Sequence, residues 1–248
     1  MPRAVSRTTR RQRVRRAQQA NPDTLLSRLE ELGRKVPNIT AEEARELVQA
    51  WHTFFTNLLI SSGCDPRAVR AITTKFRDAG RRSPPWQPGS TRGHRRPQDG
   101  ADGNRRNRWL FPAAHKFYAD EVTATLAEVK YYLQTLSMEG APAIPGGKLR
   151  TTYSAMLEHE LRPGAFLDPI QKVPVYFQRF LADRRYVESG HFIPHGKGGP
   201  HDYRNATLML KESNRLQADL SFSELLQLLK GILERNGYDV SQIPQKPA

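Results

Sequence analysis

A single cysteine, Cys64, is all that the 248-residue chain contains. This excludes a disulfide framework and any structural zinc site built on several thiolates. No apolar run approaches the roughly 18 residues of a membrane-spanning helix, and nothing resembles the apolar core of a secretory leader. Acid is missing where base is densest. Residues 1–20 hold Arg3, Arg7, Arg10, Arg11, Arg13, Arg15 and Arg16 and no Asp or Glu. Residues 81–108 hold Arg81, Arg82, Arg92, Arg95, Arg96, Arg105, Arg106 and Arg108 against Asp99 and Asp102. The two segments carry nearly all of the formal net charge of +14. Both lack apolar periodicity, so neither can repay the entropy of ordering, and both are expected to be disordered when free. Arginine on flexible arms suits sequence-independent contact with phosphates. The composition of the N-terminus also fits a transit peptide, but the amphipathic face of one is absent. A cytoplasmic setting is the expectation.

What is present between and after these segments is helical patterning. Pro22 to Arg34 carries Leu25, Leu26, Leu29 and Leu32 at helical spacing. Thr40-Ala-Glu-Glu43 is a capping box ahead of Leu47, Val48, Trp51, Phe54, Phe55, Leu58 and Leu59, with Gly63 as the stop. Asp65-Pro66 opens a third helix with Val69, Ile72 and Phe76, whose Arg67, Arg70, Lys75 and Arg77 make a basic face. Three such helices form a small bundle if they pack together. A longer helix is expected over 112–137, where Val122, Leu126, Val129, Leu133 and Leu136 alternate in a heptad pattern. It is expected to pack on the C-terminal unit, with a homodimer contact as its alternative role. Ser221-Phe-Ser-Glu224 is a second capping box, and Leu225, Leu226, Leu228, Leu229, Ile232 and Leu233 give its helix an apolar face expected to form core.

The C-terminal third carries the chemistry. It reads His191-Phe-Ile-Pro-His-Gly-Lys-Gly-Gly199, then Asn205 before the apolar strand Ala206–Leu210, then Lys211-Glu-Ser-Asn214-Arg215. Histidine suits general-base work because its unperturbed pKa leaves a neutral fraction near pH 7. A His, an Asn 14 residues on and another Asn 9 residues after that, spread over strand, Gly-rich loop, strand and helix, resemble the HNH nuclease motif. The resemblance covers roughly residues 165–236. It implies that His191 activates a water, that Asn205 fixes the loop and orients His191, and that Asn214 ligates one divalent metal. Oxygen ligands of this kind favour Mg2+ or Mn2+.

One position departs from the family. Where it places a metal-binding side chain just before the catalytic His, this chain has Gly190. Residues two apart on a strand share a face, so Glu188 is the expected replacement, ahead of His195, His201 and Asp202. Lys197, Lys211 and Arg215, interleaved with the motif, are the expected phosphate contacts.

The sequence thus leads to a mainly α protein with a small β component, an N-terminal helical bundle followed by a C-terminal ββα-metal (HNH) domain. The expected divisions are a basic tail over 1–20, a helical domain over 21–80, a basic linker over 81–108, a long helix and connector over 109–164, and the HNH domain over 165–240. The implied activity is metal-dependent hydrolysis of DNA, leaving 5′-phosphate and 3′-hydroxyl ends, in a restriction, phage or mobile-element setting. RNA is the alternative substrate. A non-catalytic nucleic-acid-binding protein with a degenerate HNH fold is the alternative function.

Overall fold

The computed structural model describes residues 22–84, 105–145 and 147–242. The basic tail over 1–20 and the middle of the second basic segment, 85–104, lie outside the described residues. The protein is mainly α-helical with one small two-stranded sheet.

Helices α1 (Pro22–Arg34), α2 (Ala41–Ser61) and α3 (Pro66–Gly80) start and stop where local chemistry directs. The Thr40 hydroxyl accepts from the Glu43 amide at 3.2 Å while the Glu43 carboxylate accepts from the Thr40 amide at 3.1 Å. The Asp65 carboxylate accepts from the amides of Arg67 and Ala68, each at 3.2 Å. Gly63, at φ 88°, makes the turn between α2 and α3.

Helix α4 is Glu121–Leu136 and does not begin at 112 as expected. Residues 112–119 form tight turns, with His115 N donating to Pro112 O and Tyr118 N to His115 O, each at 2.8 Å. The Asp120 side chain then accepts from Thr123 N at 3.0 Å and starts the helix. Every residue from Ala124 to Leu136 is buried. The heptad is therefore one face of a fully surrounded helix, packed on α2, α3 and the sheet, and residues 124–136 offer no surface to a second chain. Fully buried Trp51, Phe55, Phe76, Tyr131 and Tyr132 fill the core around it, each contributing about 2–3 kcal/mol by burial.

Short helices α5 (Gly147–Thr152), α6 (Ser154–Leu157) and α7 (Phe177–Ala182) lead to strands β1 (Val187–His191) and β2 (Ala206–Leu210). The strands pair antiparallel, Val187 opposite Leu210 and His191 opposite Ala206. Helix α4 grips β2 through Gln134, which donates to the Thr207 hydroxyl at 2.8 Å and accepts from Leu208 N at 2.9 Å. Helix α8 (Lys211–Gln217) follows directly, completing a ββα unit. Buried Asp168 braces that junction. Its carboxylate accepts from Leu210 N and from the Ser213 hydroxyl, each at 2.7 Å.

Helix α9 (Phe222–Arg235) has the expected capping box, with Ser221 as N-cap. It does not form core as expected. Leu225 is its one buried residue, while Leu226, Leu228 and Ile232 are 41–49% exposed. Its apolar periodicity is real, but no other described element covers that face.

The ends of the second basic segment are folded, against the expectation of disorder across 81–108. Arg82 pairs with Asn107 in an isolated antiparallel bridge, and Arg108 is only 5% exposed. Arg81 forms an ion pair with buried Glu128. Arginine here satisfies backbone carbonyls and carboxylates of the helical body, which ties the segment down.

Candidate active site

The loop between β1 and β2 is closed by Asn205. Its side-chain oxygen accepts from Ile193 N at 2.7 Å, and its amide donates to Ile193 O at 3.0 Å and Pro200 O at 2.7 Å. At 6% exposure these bonds are sheltered from water, so each is costly to lose. A Cβ on Gly199 would lie 1.8 Å from Ile193 O, so only glycine allows the loop to fold this tightly. Asp202 spends its carboxylate within the loop, accepting from Arg204 N at 2.8 Å and Asn205 N at 3.0 Å.

This closure turns His195 and His201 back onto His191. His191 Nε2 lies 2.9 Å from His201 Nδ1, and His201 Nε2 lies 2.7 Å from the Gly80 carbonyl. A carbonyl only accepts, so His201 carries its proton on Nε2 and presents a lone pair at Nδ1. His191 must then donate from Nε2, which leaves its own lone pair on Nδ1. The His191 and His195 rings lie 4.2 Å apart between centroids, and one nitrogen from each of the three histidines falls within 4.8 Å of the others, a spacing compatible with a divalent cation. Burial, then the neighbouring His195 and the Arg108 guanidinium, push the His191 pKa down to about 3. Burial and Arg108 also lower His195, and hold His201 well below the usual range. These shifts all favour the neutral imidazole.

His191 and His195 open onto a cleft of about 400 Å³ that Lys75, Arg105, Arg108 and Ser189 also line. Burial lowers the Arg108 pKa to about 10, which leaves it cationic at neutral pH. Its Nε donates to Gly80 O at 3.1 Å and its Nη2 to Ala79 O at 3.4 Å, while Nη1 is buried with no acceptor among the described residues. A buried cationic donor without a partner is costly unless an anion supplies one. Lys75 donates to the carbonyls of Arg184 and Val187 and so anchors α3 to the start of β1, which removes it from the basic face expected on that helix.

Glu188 and Asn214 are also brought together. Asn214 Nδ2 donates to Glu188 Oε2 at 2.8 Å, and both side chains are half-buried. The remaining amide and carboxylate oxygens are hard donors of the kind that suit Mg2+ or Mn2+. The strand register sets Glu188 and Gly190 on the face of β1 that meets Met209 and Thr207, whereas Ser189 and His191 take the other face. The space a side chain at Gly190 would need is filled. A Cβ there would lie 2.6 Å from Met209 Sδ and 2.9 Å from Asn214 Oδ1.

Of the basic residues expected near phosphate, Lys197 is paired with Glu224 at 2.7 Å, Lys211 is half-buried and Arg215 is exposed on α8. The sequence places Arg108 in a flexible basic arm suited to phosphate contact, and nothing local to it marks a buried guanidinium. Strand alternation ranks His195 and His201 below Glu188, although their spacing from His191 is the available signal.

No protein-family model matches the chain, and no curated protein matches it. Among solved structures it is similar to one described as "Crystal structure of a type II restriction endonuclease", at 21% identity and a TM-score of 0.41. The match covers 49% of this chain and 54% of that one, so it spans about half of the solved chain's length. A likeness of that size fixes no activity. Among the described residues, no helix is long and apolar enough to cross a membrane.

Proposed function

We propose that this chain is a metal-dependent HNH-type endonuclease that hydrolyses DNA phosphodiester bonds. The observation that carries this reading is the meeting, in one cleft, of a tautomer-fixed His191 with Nη1 of buried Arg108, which has no acceptor among the described residues. His191 Nδ1 is the base that takes a proton from water, and His201 holds the ring in the tautomer that leaves Nδ1 free. Arg108 and Arg105 receive the phosphate, whose negative charge favours a proton on His191 against the burial, and to a lesser degree the neighbouring Arg108, that disfavour it. Asn205 holds the loop that fixes this arrangement. Glu188 and Asn214 would hold Mg2+ or Mn2+, which would supply charge neutralisation to the scissile phosphate and leaving oxygen. Lys197, Lys211 and Arg215 border the hairpin as further phosphate contacts. A restriction, phage or mobile-element role inside the cell accompanies this reading.

The second reading is a nucleic-acid-binding protein on a degenerate HNH fold. Met209 in the place of a Gly190 side chain favours it, because one metal ligand of the family has no room. Plasmid DNA incubated with the purified chain and Mg2+ or Mn2+, with a chelator control, separates the two. Cleavage that stops with chelator and falls at least a hundredfold in His191→Ala, with DNA affinity retained, is the expected result. Binding without cleavage in every metal supports the second reading.

A further inference from the structure

The three-histidine cluster has a capacity that hydrolysis with Mg2+ does not use. Three neutral imidazole nitrogens are borderline donors, which select zinc, cobalt or nickel over magnesium. Three protein ligands leave a further coordination position open. Two features suit such an ion. His201 donates Nε2–H to the Gly80 carbonyl at 2.7 Å, the kind of outer-shell hydrogen bond that fixes a ligating histidine and leaves its other nitrogen available. His191 Nε2 and His201 Nδ1 stand 2.9 Å apart, close to the roughly 3.4 Å that two nitrogens span on a tetrahedral zinc with bonds near 2.1 Å. His195, the third member, is exposed, with its ring centroid 4.2 Å from that of His191.

We infer that His191, His195 and His201 form a binding site for a zinc-class divalent cation, and that its occupancy switches off the nuclease by changing the tautomer of His191. The cation takes the lone pair of His191 Nε2 in place of a proton. The displaced proton settles on Nδ1, so the ring stays neutral and no proton is released overall. Nδ1 then has no lone pair for water, and the base is lost. The site itself follows from the geometry alone, whereas the switch rests on the nuclease reading.

The full chain, stripped with chelator, is titrated with Zn2+ in a calorimeter and with Co2+ in the visible spectrum. One ion per chain is expected, with affinity weakened more than about tenfold in His195→Gln and in His201→Gln. His195 is exposed, so its variant keeps the fold intact even if His201→Gln does not. Imidazole nitrogen NMR should show the His191 proton on Nε2 without zinc and on Nδ1 with it. Zn2+ should inhibit Mg2+-supported cleavage, with the inhibitory concentration raised at least tenfold in His195→Gln.

An absent ion, or equal affinity in His195→Gln, overturns the site. A proton that stays on Nε2, or a zinc-loaded chain that cuts as fast as the stripped one, overturns the switch. A chain that binds zinc and shifts the proton, yet cuts DNA in no metal, overturns the nuclease reading while the site stands.

Discussion

His201 rests its Nε2 on the carbonyl of Gly80 at 2.7 Å, across 121 positions of sequence. The same carbonyl accepts from Arg108 Nε at 3.1 Å. The last carbonyl of α3 thus orients both the histidine that sets the tautomer of His191 and the guanidinium that lines the cleft. It can do so because α3 and α4 approach closely at Gly80, where a Cβ would lie 2.7–2.8 Å from Glu128 Cβ and N.

Gly80→Ala should therefore act on stability and on the site together. The added methyl meets helix backbone, which cannot yield as a flexible side chain can, and overpacking of this kind costs about 1–3 kcal/mol. Urea denaturation should show that loss, and cleavage at saturating DNA should fall with it. A variant as stable and as active as wild type would mean that the carbonyl does not organise the site.

At the oxygen-donor end, Glu188→Gln keeps the hydrogen bond to Asn214 but removes the charge. The Mg2+ concentration for half-maximal cleavage should rise about tenfold or more. An unchanged metal requirement would take Glu188 out of the site. Gly190→Asp, which supplies a carboxylate at that position, should be destabilising by about 1–3 kcal/mol because fully buried Met209 must move, and adding Met209→Ala should recover part of that loss.

Salt dependence should track the N-terminal arginines. Because Arg81, Arg82, Arg105, Arg106 and Arg108 lie within the folded residues, deletion of 81–108 would damage the helical body, and deletion of 1–20 is the cleaner experiment. Residues 1–20 carry seven arginines. If half of them reach phosphates, their removal should flatten the slope of log K against log salt by about 3 units on duplex DNA. Binding isotherms at several salt concentrations measure this, and identical slopes would show that the tail does not touch DNA.

Lys130 gives a pH signature away from the histidines. It is 4% exposed, donates to Tyr203 O at 2.7 Å, and burial lowers its pKa to about 8 from an ordinary 10.5. Between those values the unfolded chain holds the proton more tightly than the folded one. Stability should therefore gain a favourable contribution from Lys130 as pH rises from 8 towards 10.5, by about 3 kcal/mol at most. Burial raises the pKa of Tyr131, which works in the opposite direction near the top of that range. Lys130→Met should remove the Lys130 contribution, so the difference in denaturation midpoint between the two proteins, followed against pH, isolates it.

The local signals in the chain and its tertiary contacts answer different questions. Thr40 with Glu43, Asp65 with Pro66, and Ser221 with Glu224 mark helix starts because a cap is satisfied within three residues, so no distant partner is needed. The mainly α class and the strand–loop–strand–helix order of the motif were legible for the same reason. The spacing of His191, Asn205 and Asn214 named candidates, but strand alternation put Glu188 and His191 on opposite faces of β1, and only the packed structure shows what each face meets. Heptad periodicity over α4 could not say that every side of the helix would be covered, nor could the leucines of α9 say that theirs would not. Amphipathicity is a property of one segment, whereas burial depends on the other elements that arrive. The composition of residues 81–108 suggested disorder, yet Arg108 is held by carbonyls 28 and 29 positions away. Caps, turns and periodicity are settled within a turn or two of chain, and those the sequence determined. The pairing of His201 with Gly80, and the packing that sets three histidines beside Arg108, come from contacts that exist only once α3, α4 and the β1–β2 loop have packed together.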